Sequence, residues 1–340
     1  MALSIKTNKP IFVSACEPSC DLYAALFLKN LKAQGITNKI VGIGGPRMAE
    51  TGIDIVEDYH NLMTFGFSIG FGTIKNNYSI YKKISRFMYR IKPGIFLAVA
   101  YPGINLLLCQ YARNLGAKVY YILPPQIWAW ADFRKYFVKK WVDTVISLFP
   151  FEYDFYRKIG IKVVYQENPL IKYLQNYRRT DSKMRIGFMP GSRPGMVCRN
   201  MPVIIDIACK LKNILPSIEL NLILLESFNK TLVPLPNPCP LSINQPHTSD
   251  RYQAMRNCDL LVICSGTASL EAAFMNIPQI FFHRPSFFEY HILRHFLKIK
   301  EYNLANLYYH SRKPLVPTFI TYNKKKLGQN VYAKTVSFFP

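Results

Sequence analysis

Acidic side chains are scarce in this chain: 20 aspartates and glutamates stand against 43 lysines and arginines in 340 residues, a formal net charge of +23. Long apolar runs are missing as well. The longest candidate, Phe96 to Cys109, is interrupted by Pro102 and Gly103, and spanning a bilayer takes about 18 continuous apolar residues. The apolar stretch Ile11–Cys16 is short, ends at Glu17 and lacks a small-residue cleavage site, so no secretory leader is expected and a cytoplasmic chain is. None of the eight cysteines forms a C-x-x-C pair, which removes zinc ribbons and dithiol redox motifs and leaves small buried hydrophobes. His291 and His295 lie four apart beside Glu289, but no third ligand is evident and no metal is expected. Helix-turn-helix, RNA-recognition and zinc-finger signatures are absent, so nucleic acid is not an expected partner. No internal repeat or low-complexity tract interrupts the chain.

What is present is a chain able to bury a large core, with 50% hydrophobic and 19% charged residues. Its length suits two domains of about 150 residues. The positive charge is spread out: residues 1–170 carry 21 basic and 11 acidic side chains (+10), residues 171–340 carry 22 and 9 (+13). A nucleotide diphosphate or an anionic lipid surface would answer such a charge, and so would plain compositional drift.

Short apolar runs alternate with helical periodicity. Ile11–Cys16, Ile40–Ile43, Ile95–Ala98, Val119–Leu123 and Thr144–Leu148 read as buried strands, with helical segments such as Leu22–Gln34 and Tyr78–Ile91 between them. The pattern restarts at Met184–Met189 and continues through Leu220–Leu225, Leu260–Cys264 and Gln279–Phe282. Alternating strands and helices imply parallel sheets, and two such runs imply two doubly wound α/β domains. The boundary is expected near Asn168–Ser182, dividing residues 1–175 from 176–340. Val233 to Pro240, with four prolines, reads as a surface loop.

Four segments fall at strand ends, where such folds place chemistry. They are Ser14-Ala15-Cys16-Glu17-Pro18-Ser19-Cys20-Asp21, Pro125-Gln126-Ile127-Trp128-Ala129-Trp130, Met189-Pro190-Gly191-Ser192-Arg193 and Cys264-Ser265-Gly266-Thr267-Ala268-Ser269-Leu270-Glu271. Gly191 and Ser192 would open a helix and present backbone N–H groups to phosphate. Arg193 adds a permanent cation with a fork suited to phosphate oxygens. Ser265, Gly266 and Thr267 read as a second helix start, either an ordinary N-cap or part of the same anion site. Glu271 lies one turn on, on the face of Thr267, where a carboxylate could accept ribose hydroxyls. Trp128 and Trp130 read first as packing residues.

Together with Gly45-Pro46-Arg47-Met48, Phe149-Pro150-Phe151-Glu152 and Asn303-Leu304-Ala305-Asn306-Leu307, these segments resemble, in order and spacing, the lipid-A-disaccharide synthase family. The resemblance covers most of residues 10–310. It implies a GT-B glycosyltransferase with two Rossmann-like domains facing a cleft, the first on the acceptor and lipid side and the second binding the UDP-sugar. The C-terminal end would pack back on the first domain. The implied reaction moves 2,3-diacylglucosamine from UDP to 2,3-diacylglucosamine 1-phosphate, with inversion, giving the β-1,6 disaccharide of lipid A, without a cofactor. Asn306 would lie near the nucleotide, and Trp128, Trp130 and Asn105 would shape the acceptor cleft. Work on lipid substrates implies the inner face of the inner membrane, and the basic amphipathic stretch Tyr78–Lys92 and the apolar loop Met63–Phe71 are the segments expected to rest on anionic lipid.

Against the family pattern Asp-Ala-Pro-Asp-Phe-Asn, this chain has Ala100-Tyr101-Pro102-Gly103-Ile104-Asn105. The expected general base is therefore an alanine, and loss of a positioned base costs about 10²–10⁴-fold. Both glycines of the first loop are Cys16 and Cys20, while its acids, Glu17 and Asp21, remain as substitute bases. The acid usual three residues after the arginine is Met196, and a histidine before the boundary proline is Asn168. Beside the transferase stand two other readings: a non-catalytic relative that binds nucleotide, lipid or a partner, and a sugar-nucleotide epimerase on the same scaffold.

Overall fold

The structure, a computed structural model, describes residues 7–62, 71–129, 132–191, 193–224, 239–244, 248–287, 289–291, 301, 303–309 and 315–339, without the side chains of 71–76, 244 and 248–250. The chain forms two units, Met1–Pro169 and Leu170–Pro340. The break precedes the expected one at residue 175 because the short helix Leu170–Leu174 belongs with the second unit, where Tyr173 packs edge-on against Tyr252 at 5.8 Å.

In the first unit, β1 (Ile11–Ala15), α1 (Pro18–Ala33), β2 (Ile40–Gly44), α2 (Pro46–Ala49), β3 (Asp54–Asp58), α3 (Phe71–Ile91), β4 (Ile95–Val99), α4 (Pro102–Asn114), β5 (Lys118–Ile122), α5 (Arg134–Trp141), β6 (Thr144–Ser147), α6 (Pro150–Lys158) and β7 (Val163–Tyr165) follow in turn. The sheet order is β3-β2-β1-β4-β5-β6-β7, and its pairs are parallel. The second unit runs α7 (Leu170–Leu174), β8 (Arg185–Met189), α8 (Pro194–Ile214), β9 (Glu219–Ile223), β10 (Ser242–Asn244), α9 (Thr248–Arg256), β11 (Leu260–Ile263), α10 (Gly266–Phe274), β12 (Gln279–His283), α11 (Leu304–Tyr309), β13 (Thr318–Ile320) and α12 (Lys324–Val336). Its parallel sheet is ordered β10-β9-β8-β11-β12-β13. Both orders are doubly wound, and in each the order reverses beside the unit's first strand. That switch point, β1/β4 and β8/β11, is where such sheets open a crevice for ligands at their carboxyl ends.

The nine expected strands all form. Those in the middle of each sheet are buried along their whole length, as in β1, β4 and β11, because helices cover both faces. The C-terminal helix α12 packs on α8, with Leu327 and Val331 buried in the second core. The apolar stripe of α3 is likewise used internally. Ile80, Ile84 and Met88 are buried in the first core with Phe87 and Ile91 against it, so these residues of the Tyr78–Lys92 stretch are not available to lipid, and only its basic face is. Residues 63–70 of the expected lipid loop, residues 233–238 of the proline-rich loop and His295 lie outside the described residues. Five of the eight cysteines are buried; Cys198 and Cys209 are exposed.

Candidate active site

At the first unit's switch point the geometry centres on Asn105, one turn into α4 and fully buried. Its Nδ2 donates to Ala100 O at 2.9 Å, Val99 O at 3.2 Å and Ser14 O at 3.4 Å, and its Oδ1 accepts from Ser14 Oγ at 2.6 Å. Asn105 therefore ties the ends of β1 and β4 together. It is not an open acceptor-cleft residue, since its amide is occupied by backbone and by Ser14. Above it, Ala100 and Tyr101 both hold φ of +44°. Left-handed backbone at non-glycine positions costs on the order of 1–3 kcal/mol and clusters at functional sites. Ala100 O accepts a second bond from Tyr121 Oη at 2.7 Å, so the strained carbonyl is held from two sides. The position implied for the general base is built as a special turn, and its side chain is a methyl group.

Of the two substitute acids, Asp21 is assigned a structural role by its contacts. It is 1% exposed, and its oxygens accept from the amides of Gly45 (2.8 Å), Arg47 (2.9 Å) and Met48 (3.2 Å), which caps the start of α2. Burial pushes its carboxyl above the ordinary range, against the pull of those amides. The expectation of Asp21 as a base is corrected accordingly. Glu17, the N-cap of α1, is half-buried and accepts from Ser19 Oγ at 2.8 Å, and the residue stays partly exposed at the helix start. Cys16 and Cys20, which replace glycines of the family pattern, are buried and do not take positive φ.

Trp128 is half-buried after β5, between buried Ile127 and Ala129. Its Nε1 donates to Glu152 Oε1 at 3.1 Å and its ring meets Phe151 edge-on at 4.9 Å. Glu152 is 3% exposed and also accepts from Ser147 Oγ at 3.1 Å. Burial pushes its carboxyl up to about 7, against those two hydrogen bonds. Sequence reading placed Glu152 only as part of a motif; its partner lies 24 residues earlier, and no local spacing signals that. Trp130 lies outside the described residues.

In the second unit, the turn after β8 passes through Gly191, which takes φ +124° and where a Cβ would fall 2.4 Å from Met196 Sδ. Only glycine fits that turn. Arg193 is exposed at the N-cap of α8; Ser192 lies outside the described residues. Ser265 is the N-cap of α10, but its side chain makes no capping bond, and Ser265, Gly266 and Thr267 are all partly exposed. The first amides of α10 are thus not satisfied by Ser265, which is the arrangement an anion site needs.

Asn200 of α8, fully buried, joins these loops. Its Nδ2 donates to Pro190 O at 2.8 Å and to Cys264 Sγ, and its Oδ1 accepts from Arg284 N at 3.3 Å. Cys264 also meets His283 Nδ1 at 3.3 Å. Burial pushes the Cys264 thiol up to about 12 and the His283 imidazole down, so the pair is a neutral hydrogen bond and not an activated nucleophile. Asn200, His283 and Arg284 were not picked out from the sequence, and Cys264 only as the first residue of its motif; each partner lies on a different element.

Two expected nucleotide contacts are occupied otherwise. Glu271 is 3% exposed, and both its oxygens accept from Arg251 Nη2 at 2.9 Å while Tyr252 Oη donates to Oε1 at 3.0 Å. It holds α9 to α10 and is not presented to a ribose. Asn306, also buried, accepts from Val316 N at 2.8 Å and donates to Val316 O at 3.0 Å and to Glu301 Oε2 at 3.2 Å. It fastens the segment before β13. Among the described residues no cluster of three histidine, cysteine or acidic side chains could hold a metal.

Comparison with known proteins agrees with this layout. The sequence profile of the family described as lipid-A-disaccharide synthetase matches residues 11–336. The lipid-A-disaccharide synthase of Trichlorobacter lovleyi is 28% identical over 317 residues, covering 90% of this chain and 82% of its own. Lipid-A-disaccharide synthase 1 of Legionella pneumophila strain Paris is 28% identical over 338 residues, 95% of this chain and 86% of its own. Among solved structures, the S. aureus MnaA–UDP complex superimposes with a TM-score of 0.62 at 14% identity, covering 89% of this chain and 86% of that one, a likeness of fold.

Proposed function

The chain belongs to the lipid-A-disaccharide synthetase family, and we propose that it is a hexosyltransferase that joins two acylated glucosamines into the lipid A disaccharide. The donor is 2,3-diacylglucosamine on UDP and the acceptor is 2,3-diacylglucosamine 1-phosphate. The acceptor's 6-hydroxyl oxygen attacks the anomeric carbon, the bond from that carbon to the diphosphate breaks, and its electron pair leaves on UDP. One observation carries this reading. At a single switch point the second unit places an exposed Arg193 at a helix start, the glycine-only turn at Gly191 and the uncapped start of α10. Arg193 and those amides would hold the diphosphate and stabilise the charge that develops on it.

The hydroxyl proton needs a destination. With Ala100 in the strained turn, Glu17 at the same edge is partly exposed while Asp21 is buried, and Glu17 is assigned as the acceptor of the proton. The same feature favours the second reading, a relative that binds the nucleotide without turnover, since the turn is kept and its carboxylate is not. Purified chain and A100D, assayed with both lipid substrates, separate the two. Slow product formation that A100D raises by about 10²-fold or more is the expected result. An ordinary turnover of about 1–10³ s⁻¹ in the natural chain would remove the impaired-base reading, and UDP binding with no product from either protein would favour the non-catalytic one.

The acylated substrates suggest work at an anionic lipid surface. Between Asp58 and Asp132 the chain has no carboxylate side chain at all. The helices of that stretch, and α5 with its N-cap Phe133, expose Tyr78, Tyr89, Leu107, Phe133, Tyr136 and Phe137 among lysines and arginines. Aromatic side chains among cations suit the headgroup layer. Among the described residues no helix is long and apolar enough to cross a membrane.

A further inference from the structure

A buried carboxylate without a cation is a costly group to keep. Glu152 is such a group: it has no ion pair among the described residues, and its hydrogen bonds come from Trp128 Nε1 and Ser147 Oγ. A leucine or methionine would pack α6 against its neighbours without that cost. The carboxylate has one specific effect, which is on the loop after β5. Helix α6 grips that loop at two places, because Tyr156, one turn beyond Glu152, donates from Oη to Pro125 O while Glu152 takes the indole N–H of Trp128. Phe151 closes one side of the indole edge-on, and the indole remains partly exposed at the carboxyl edge of β5.

The hydrogen-bond set also tolerates either charge state. With Glu152 ionised, Ser147 Oγ–H donates to Oε2. With Glu152 protonated, its own O–H donates to Ser147 Oγ, and the serine proton turns to Phe149 O, which lies 2.9 Å away. Trp128 Nε1–H keeps its acceptor in both. Among the described residues the other titratable group that faces this carboxyl is Tyr156, whose phenol is pushed upward by burial and by Glu152.

We propose that Glu152 is a positioning residue, holding the Trp128 indole as the flat apolar platform on which the glucosamine ring of the acylated acceptor rests. The proposal rests on the glycosyltransferase reading for the identity of that ligand, but the link between Glu152 and Trp128 does not depend on turnover.

The test follows the indole N–H of Trp128 by 1H–15N NMR on the full chain, assigned by its loss in W128F. The resonance is expected to move with pH with a midpoint near 7, in line with the raised carboxyl. It should stand still in E152Q, and S147A should raise the midpoint by removing a bond that favours the charged form. Adding 2,3-diacylglucosamine 1-phosphate in detergent should shift the same resonance in the natural chain and in E152Q, which keeps an acceptor for the indole. In E152L the acceptor should bind about tenfold more weakly, as expected for one lost charge-assisted hydrogen bond, and W128F/E152L should bind no worse than W128F alone. UDP affinity should be unchanged throughout. A flat pH response in the natural chain, or an indole that ignores the acceptor while UDP still binds, would overturn the proposal. If E152L does not fold, E152Q and S147A still decide it. If no variant produces disaccharide but these resonances behave as described, the transferase reading fails and the positioning role stands.

Discussion

The six strands of the second sheet repeat the order of six of the first sheet's seven, and at each switch point a fully buried asparagine amide joins the diverging strand ends, yet the two edges are built oppositely. In the first unit Asn105 comes from the helix after β4 and ties Ser14 to Val99 and Ala100. In the second Asn200 comes from the helix after β8 and ties Pro190 to Cys264 and Arg284. Where neighbouring parallel strands send their chains to opposite faces, the last carbonyls lose their ladder partners and need another donor. An asparagine supplies both donor and acceptor from one short side chain, and which helix carries it matters little. The difference lies around the keystone. The first edge holds left-handed non-glycine residues at Ala100, Tyr101 and Leu123; the second uses Gly191 and leaves its helix starts open. The strain belongs to the first unit's edge and the anion-ready backbone to the second unit's.

The largest expected effect tests the keystones themselves. N105L would strand Val99 O and the Ser14 pair in a dry interior and destabilise the first unit by about 3 kcal/mol, and N200L the second by about 2 kcal/mol. All three tryptophans lie in the first unit, so denaturant melts followed by tryptophan fluorescence and by circular dichroism separate the two. A tryptophan transition that moves as much for N200L as for N105L would break the comparison.

A pH-dependent effect of similar size belongs to the first edge. Glu152 takes up its proton more readily in the folded chain, with its carboxyl at about 7 against an ordinary 4.5. The folded state therefore binds more protons than the unfolded one between those values, and stability falls as pH rises through that window, then levels off. E152Q cannot ionise. Its stability advantage over the natural chain should open from near zero around pH 4.5 to about 2–3 kcal/mol at pH 8. A gap that does not change with pH would show that the burial of this carboxyl costs nothing.

Ligand binding should divide the edges further. R193A is expected to weaken UDP binding about tenfold or more, the scale of one charge-assisted contact, while E17Q leaves it unchanged; titration calorimetry reads both. Equal losses would mean that the diphosphate is not held by the second unit's edge alone.

The smallest effect compares the two turns. A100G would relieve a left-handed alanine and stabilise the chain by about 1 kcal/mol. G191A would force a Cβ into Met196 at a φ that alanine rarely adopts and destabilise it. Melting temperatures that move in the same direction would show that Ala100 is not strained.

Several features of this fold are legible in the sequence itself, and the physical reason is plain. Central strands are covered on both faces, so Phe12, Phe96, Val262 and their neighbours leave continuous apolar runs in the sequence. The four strands that escaped notice, β3, β7, β10 and β13, are the outermost strands of the two sheets. Three of these, β3, β7 and β13, are largely half-exposed and so carry no such run. The order of motifs along the chain marked the carboxyl edges, because strand–helix turns put small and polar residues at fixed places. The sequence could not say how each polar side chain in those motifs is used. Asp21, Glu271, Asn306 and Asn105 read as ligand-facing groups, but in the fold each is occupied by partners at least ten residues away or on another element. A buried polar group must be hydrogen-bonded to something. Whether that partner is a substrate or another part of the chain is decided only when the tertiary structure brings distant residues together.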